Sequence, residues 1–287
     1  MEHLVLVGST HGNEWTGAYL LKHLETNKDI LASKFFHTHY LFANEKAFEN
    51  STRYVERDLN RSFNFADRKQ DIHHEEKLAR KLRSQISALS NNEEYLLVDM
   101  HTTTADMGTT LIVDNLSKFN LQLLSYAAKK IPDMKAFAWI EDTKSGFINE
   151  INEKNITIEI GPIERSTLKQ ESYERTLECV LVIKDFMEEY KLNPSIEEGE
   201  EVEIYKYHSK LDYPRSDTKL LKAMLHKDFE KRNFEVLKAE SPVFYDLSGK
   251  TICYAKDDKL IPVFIGEASY YEKGFACCLT EKINLKI

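Results

Sequence analysis

The sequence is short of several things, and each shortage removes a class of protein. No apolar run approaches the ~18 residues that a membrane-spanning helix needs, so no membrane partner is expected. Basic residues are outnumbered, 39 against 47 acidic, for a formal net charge of -8, which argues against nucleic acid or an anionic membrane as partner. The four cysteines (Cys179, Cys253, Cys277, Cys278) contain no CxxC, and the adjacent Cys277-Cys278 is a poor disulfide candidate. A reducing compartment fits that usage. A strand begins almost at Met1, leaving no room for a signal peptide, and the cytoplasm is the expected location. There is no internal repeat, no glycine-rich phosphate loop, no GxGxxG and no GxSxG elbow. Ser9 precedes His11 but lacks the elbow context, which sets a serine hydrolase aside.

What is present begins at once. Residues make up an ordinary globular composition, 42% hydrophobic and 30% charged, and 287 of them allow one large domain or a main domain with a smaller one. In LVLVGSTHGNEWTGAYLL (4–21) an apolar strand ends at Gly8, a polar turn follows, and an apolar-periodic helix starts near Trp15. His11 and Glu14 sit in that turn at a spacing that can bring an imidazole nitrogen and a carboxylate to one point, both suited to zinc. A third ligand must come from elsewhere.

FFHTHYLF (35–42) reads as a strand, with His37 and His39 as ordinary strand residues. STRYVERDLNRSF (51–63) packs Arg53, Arg57, Asn60 and Arg61 together. Such a run is either a solvated face or a set of guanidinium forks for carboxylates. An amphipathic helix is expected from Asp67 to Leu89, with Ile72, Ala79, Leu82, Ile86 and Leu89 at helical spacing and His73 and His74 on the surface. YLLVDMH (95–101) is a buried-type strand with Asp99 and His101 at its C-terminal end, where open α/β sheets bind ligands. His101 is therefore the candidate third donor. Two close ligands and a distant one, with a position left for water, is the pattern of catalytic zinc. Asp99 either orients His101 or is salt-bridged elsewhere.

TTLIVD (109–114) and KAFAWI (135–140) read as strands around a helix from Lys118 to Lys130. Residues 141–155 read as an irregular loop near the surface. In NITIEIGP (155–162), Ile156, Ile158 and Ile160 occupy one face and Glu159 the other. Glu159 is either solvent-facing on an edge strand or a carboxylate beside the metal, able to move a proton from water to a leaving amine. The next helix is expected to open on a capping box at Thr167 and Gln170 and to run to about Tyr190. KLNPSIEEGEE (191–201) reads as a linker, placing a catalytic domain at 1–195 and a small β-rich domain at 196–287. In the second region, short strands are separated by turns, with a helical interlude around 220–228 and a hairpin at Ser248-Gly249. Tyr270 and Tyr271 sit between two strands, as packing residues or with a hydroxyl free to reach a neighbouring site.

Four ordered motifs, His11-Gly12-Asn13-Glu14, Asp58-Leu59-Asn60-Arg61, Asp99-Met100-His101 and Glu159-Ile160-Gly161-Pro162, together resemble the aspartoacylase branch of the succinylglutamate desuccinylase/aspartoacylase family, relatives of zinc carboxypeptidases. Thr52-Arg53-Tyr54 and Glu267-Ala268-Ser269-Tyr270-Tyr271-Glu272 extend the likeness, which covers nearly the whole chain. The resemblance implies an α/β fold: a zinc carboxypeptidase-like mixed-sheet domain with helices on both faces, followed by a smaller mostly β domain that narrows the entrance. It implies one zinc ion on His11, Glu14 and His101, and Glu159 as general base and acid. Arg53 would polarise the scissile carbonyl, Asn60 and Arg61 would grip the substrate carboxylate, and Tyr270 would reach in from the C-terminal domain. The implied reaction is hydrolysis of N-acetyl-L-aspartate to acetate and aspartate. The alternatives are the same chemistry on an aromatic or succinylated acyl amino acid, or a zinc-binding scaffold without catalysis. A homodimer is the base-rate expectation.

One segment departs from the pattern. Family members carry a tyrosine and an arginine before the glutamate strand, and SGFINEINEKN here has neither. Phe147 stands near the tyrosine's place and Asn149 or Glu150 near the arginine's, with Lys144 or Lys154 as the expected substitutes if the loop folds inward.

Overall fold

The computed structural model describes residues 1–65, 73–91, 93–141 and 145–287. Strand β1 (His3–Gly8), helix α1 (Trp15–Thr26), β2 (His37–Phe42) and the short α2 (Glu45–Glu49) form the opening unit. Then come α3 (His74–Leu89), β3 (Tyr95–Thr102), β4 (Gly108–Val113), α4 (Lys118–Lys130), β5 (Lys135–Ala138), β6 (Asn155–Gly161) and α5 (Gln170–Leu192). The C-terminal region contributes β7 (Glu201–Asp212), β8 (Ala223–Leu225), β9 (Pro242–Asp246), β10 (Thr251–Cys253), β11 (Ile261–Val263) and β12 (Phe275–Lys286).

The strands make a nine-stranded mixed sheet, ordered β11-β12-β7-β5-β4-β6-β3-β1-β2, and a three-stranded sheet, β10-β9-β8. Strands β2, β1, β3 and β6 run parallel, which aligns their C-terminal ends along one edge. Strands β1 and β3, buried on both faces, read as nearly continuous apolar runs. On one face Leu4, Leu6, Val98, Met100, Ile156 and Ile158 pack with residues of α1, α4 and α5. On the other, Val5, Val7, Leu41 and Leu97 meet Ala79, Leu82 and Ile86 of α3. The fold is thus α/β, with helices on both faces of a mixed sheet and a smaller β region after it. Among the described residues no helix is long and apolar enough to cross a membrane.

Several local expectations are corrected. Strand β3 runs one residue further than expected, to Thr102, with His101 near its C-terminal end as read from the sequence. Helix α5 starts at Gln170 with Lys169 as N-cap and no side-chain cap, while the Thr167 hydroxyl bonds to Glu164 O at 2.6 Å. The helical interlude near 220–228 contains strand β8, because Ala223, Met224 and Leu225 pair with β9. Loop 141–155 does not stay at the surface: Ile148 and Asn149 are buried and a short 3-10 turn spans Asn149–Ile151. Its Lys144 and the expected helical start at Asp67 and Ile72 lie outside the described residues. The main sheet also continues across the linker, through the β5–β7 pairs Phe137↔Tyr205 and Ala138↔Lys206. An apolar cluster of Phe137 and Trp139 with Tyr205, Val263, Phe264 and Tyr270 seals that junction.

Candidate active site

The site grows from the C-terminal ends of β1, β3 and β6. After β1, the chain turns through Gly12, where an added Cβ would lie 2.1 Å from the Ala47 carbonyl carbon. Only glycine permits that approach. Glu14 is the N-cap residue of α1, yet its side chain makes no cap bond and points into the site instead. Strand register supplies the rest. Asp99 and His101 alternate onto one face of β3, and His101 is paired directly with Glu159 on β6, so their side chains stand side by side. Gly161 closes the layer, since a Cβ there would meet Ala105 O at 2.4 Å.

Both histidines are oriented by carboxylates from behind. His11 Nε2 contacts Asp58 Oδ1 at 3.0 Å, and His101 Nε2 contacts Asp99 Oδ2 at 2.6 Å. The Thr10 hydroxyl donates to Asp99 Oδ1 at 2.7 Å. The opposite nitrogens converge on Glu14: His11 Nδ1 lies 2.9 Å from Oε1 and His101 Nδ1 2.9 Å from Oε2. His11 Nδ1 is buried and, despite that distance, lies outside hydrogen-bonding geometry, so it has no partner. Ligand atoms of His11, Glu14 and His101 all fall within 4.8 Å of one another, the one such group of three among the described residues. An imidazole with a carboxylate behind it and its free nitrogen facing a shared point is how zinc-binding histidines are held. The residues therefore fit a divalent metal, with zinc favoured by the His, Glu, His donor set.

Asp58 is held well below the usual carboxylate range: burial opposes ionisation, but His11 and Arg53 overcome it. Arg53 donates from Nε and Nη2 to Asp58 Oδ2 at 3.3 Å each and from Nη1 to Glu14 Oε1 at 3.1 Å. The loop carrying these residues is organised by Glu75 of α3, fully buried, whose carboxylate accepts from the amides of Val55, Glu56 and Arg57 at 2.7, 3.2 and 3.1 Å. Asn60 Oδ1 accepts from the Ile148 amide at 2.8 Å, which draws loop 141–155 inward. As a result the Phe147 ring lies under the Arg61 guanidinium, 4.3 Å from its central carbon. Arg61 donates to Asn60 O at 2.5 Å and has no carboxylate partner among the described residues. Burial lowers it from the usual arginine range, with Asp58 offsetting and Arg53 adding to the effect, which leaves a cation in want of an anion.

A pocket enclosing about 640 Å³, part of it open to solvent, joins these groups. Its lining includes every expected residue: His11, Glu14, His101, Glu159, Arg53, Asn60, Arg61 and Tyr270. Trp139, Phe147 and Phe264 give it an apolar wall. Burial pushes Glu159 up to about 8; Glu14 and Glu267 add to this, while His101 and Arg165 oppose it. Of the expected loop substitutes, Lys154 is elsewhere, paired with Glu94 at 2.9 Å and lying over Phe119. Glu150 turns back on its own loop, accepting from Ser145 N at 2.7 Å and Gly146 N at 3.0 Å, whereas Asn149 does line the pocket.

Three residues escaped the sequence reading. Asp58 lay inside a motif but carried no assigned role, and its place behind His11 depends on a loop fold that spacing does not disclose. Arg165 lines the pocket, six positions after Glu159, where it reads as an ordinary residue leading into α5. Glu267, also buried, likewise lay inside a quoted motif without an assigned role.

Comparison with known proteins agrees with this arrangement. The sequence model of the succinylglutamate desuccinylase/aspartoacylase catalytic domain matches residues 1–187, and that of the AstE/AspA barrel-sandwich hybrid domain matches 200–282. A probable aspartoacylase of Trichodesmium erythraeum (strain IMS101) is 34% identical over 99% of this chain and 98% of its own. An N-acyl-aromatic-L-amino acid amidohydrolase (carboxylate-forming) of Mus musculus is 30% identical over 99% of this chain and 92% of its own. The crystal structure of murine aminoacylase 3 superposes with a TM-score of 0.89 at 30% identity, covering 99% of this chain and 96% of that one. With both regions matched in order and the site residues gathered into one pocket, the chain belongs to the succinylglutamate desuccinylase/aspartoacylase family.

Proposed function

We propose that this protein is a zinc-dependent amidohydrolase that cleaves small N-acyl amino acids to a carboxylate and the free amino acid. The observation that carries the reading is the buried convergence of His11, Glu14 and His101 beside Glu159, in a pocket that also holds a guanidinium with no carboxylate partner among the described residues. Bound by those three residues, zinc would supply a Lewis acid that acidifies water and polarises the acyl carbonyl. Glu159 takes the proton from the attacking water and hands it to the departing amine. Burial raises this carboxyl in the metal-free protein, and a cation bound beside it would favour the ionised form that a general base needs. Arg53, already held by Asp58 and Glu14, aims its N–H groups at the oxygen that gains charge. Arg61 anchors the substrate's α-carboxylate, with Asn60 setting the loop beneath it and Tyr270 closing the wall from the C-terminal region.

Two amino-acid moieties compete for the site. N-acetyl-L-aspartate is supported by the relatives described as probable aspartoacylases. An aromatic side chain is favoured by the Trp139, Phe147 and Phe264 wall and by the pairing of Arg53 and Arg165 with carboxylates, which leaves Arg61 as the pocket guanidinium with no carboxylate partner among the described residues. The test is carboxylate release from N-acetyl-L-aspartate and N-acetyl-L-phenylalanine by zinc-loaded protein, with Glu159→Ala as the blank. Turnover of at least one substrate, lost by a factor of about 100 or more in the variant, is expected. Near wild-type turnover by Glu159→Ala sinks the reading, and the ratio of kcat/KM assigns the side chain.

A further inference from the structure

Arg165 has no part in the reaction as described, yet its guanidinium joins two buried carboxylates across the pocket. It leaves the loop after β6 and reaches back across the site. Its Nη1 donates to Glu14 Oε1 at 2.7 Å and to Thr102 O at 2.9 Å, while Nη2 donates to the Glu267 carboxylate. Glu267 in turn accepts from the Thr104 amide at 2.8 Å, the Thr104 hydroxyl at 2.9 Å and the Ser269 amide at 3.0 Å, and from the Thr103 hydroxyl. Ser269 and Tyr270 belong to the short 3-10 helix Ala268–Lys273, which forms the C-terminal wall of the pocket. A single guanidinium thus bridges a metal-ligating carboxylate and the segment that carries Tyr270.

The chemistry of the bridge requires arginine. Glu14 and Glu267 are 3% and 5% exposed, and a buried carboxylate that loses its partner is strongly destabilised. Their oxygens are met from two different nitrogens of one planar group, a geometry that a lysine point charge does not reproduce. Because Arg165 is neutralised by these two carboxylates, it serves them rather than a substrate anion. We propose that Arg165 is a positioning residue that couples metal binding at Glu14 to the placement of the Tyr270-bearing wall. The inference rests on the reading of His11, Glu14 and His101 as a metal site, and linkage makes it reciprocal: metal must then steady the wall as the wall steadies Glu14.

Amide hydrogen exchange of residues 264–275 tests it, measured with zinc bound and after chelation, in wild type, Arg165→Lys and Arg165→Met. The reporters are the Gly266, Tyr270 and Gly274 amides, bonded to Ala276 O, Glu267 O and Tyr270 O. Zinc stoichiometry and affinity are measured alongside by competition with a chromophoric chelator. In wild type, zinc should slow exchange of this segment about fivefold or more. In Arg165→Met, zinc should still bind but leave the segment's exchange unchanged, and Arg165→Lys should behave the same way because the fork is lost while the charge is kept. If either variant retains the wild-type zinc effect, or if zinc leaves the wild-type segment unchanged, the inference is overturned. Should Arg165→Met fail to fold, Arg165→Lys and Glu267→Gln carry the same test. Zinc bound with exchange uncoupled defeats this inference alone, whereas no zinc bound by wild type defeats the site reading and the inference together.

Discussion

The molecule has two histidine clusters, at opposite ends of the same parallel strands, and they differ in one geometric respect. At the C-terminal ends, His11 and His101 each spend one nitrogen on a carboxylate behind it and turn the other toward Glu14. At the N-terminal ends, His3 spends both: Nδ1 meets His39 Nε2 at 2.9 Å and Nε2 meets Glu93 at 3.0 Å. Glu93, His3 and His39 therefore form a chain, with the His37 ring alongside His3 at 5.8 Å between centroids. Burial, with His3 and His37 nearby, holds His39 below its usual range, which favours its neutral ring. Similar residues in similar density give a converging site in one place and a linear relay of hydrogen bonds in the other. Convergence, rather than the number of histidines, is what marks a metal centre.

The largest effect should come from breaking the convergence itself. His101→Ala is expected to weaken zinc binding by a factor of 1,000 or more (about 4 kcal/mol), while His39→Ala leaves stoichiometry and affinity unchanged. Chelator competition on both variants checks this, and zinc loss in His39→Ala would contradict the contrast drawn here. A smaller effect concerns Arg61, which has no carboxylate partner among the described residues. Arg61→Ala should raise KM by roughly 10- to 100-fold, with kcat falling much less, since an α-carboxylate anchored equally in ground and transition states contributes uniform binding. Equal losses in kcat and kcat/KM would instead give Arg61 a role in the transition state.

The smallest effect is on stability. Glu159 is raised from 4.5 to about 8, so between those values the folded protein holds a proton that the unfolded chain has released. Stability then falls as pH rises through that window and stays lowered above it. Glu159→Gln has no such proton. The metal-free variant should match wild type near pH 4.5 and melt higher by on the order of 5 °C above pH 8. Adding zinc should narrow the gap, because a cation beside Glu159 favours its ionised form. Thermal melts of both proteins across pH, with and without chelator, decide the matter; a gap that widens on acidification would reverse the assigned sign.

Much of the site was legible because its residues sit at strand ends and tight turns, where periodicity breaks off. His11 and Glu14 lie in the polar turn after an apolar strand, His101 closes another, and alternation alone put Glu159 opposite three isoleucines. What stayed hidden involves groups whose position is set by packing. Loop 141–155 is polar in composition, yet Asn60 captures its Ile148 amide and carries Phe147 and Asn149 into the pocket. Lys154 remains outside because its carboxylate partner, Glu94, lies there. No spacing rule announces a buried Glu75 gathering three backbone amides, since its value depends on where an unrelated loop passes.

By itself the sequence determined the strand and helix types of the first region and offered His11, Glu14, His101 and Glu159 as candidates, because hydrophobic period and turn chemistry are local properties. The tertiary structure decided which nitrogens converge and which merely chain together, and which pocket arginine lacks a carboxylate partner among the described residues. It also decided that Arg165 and Glu267 would meet. These outcomes depend on strand register and on the burial of charges brought together from positions far apart in the chain, and a buried charge takes its partner from whatever the fold places within reach.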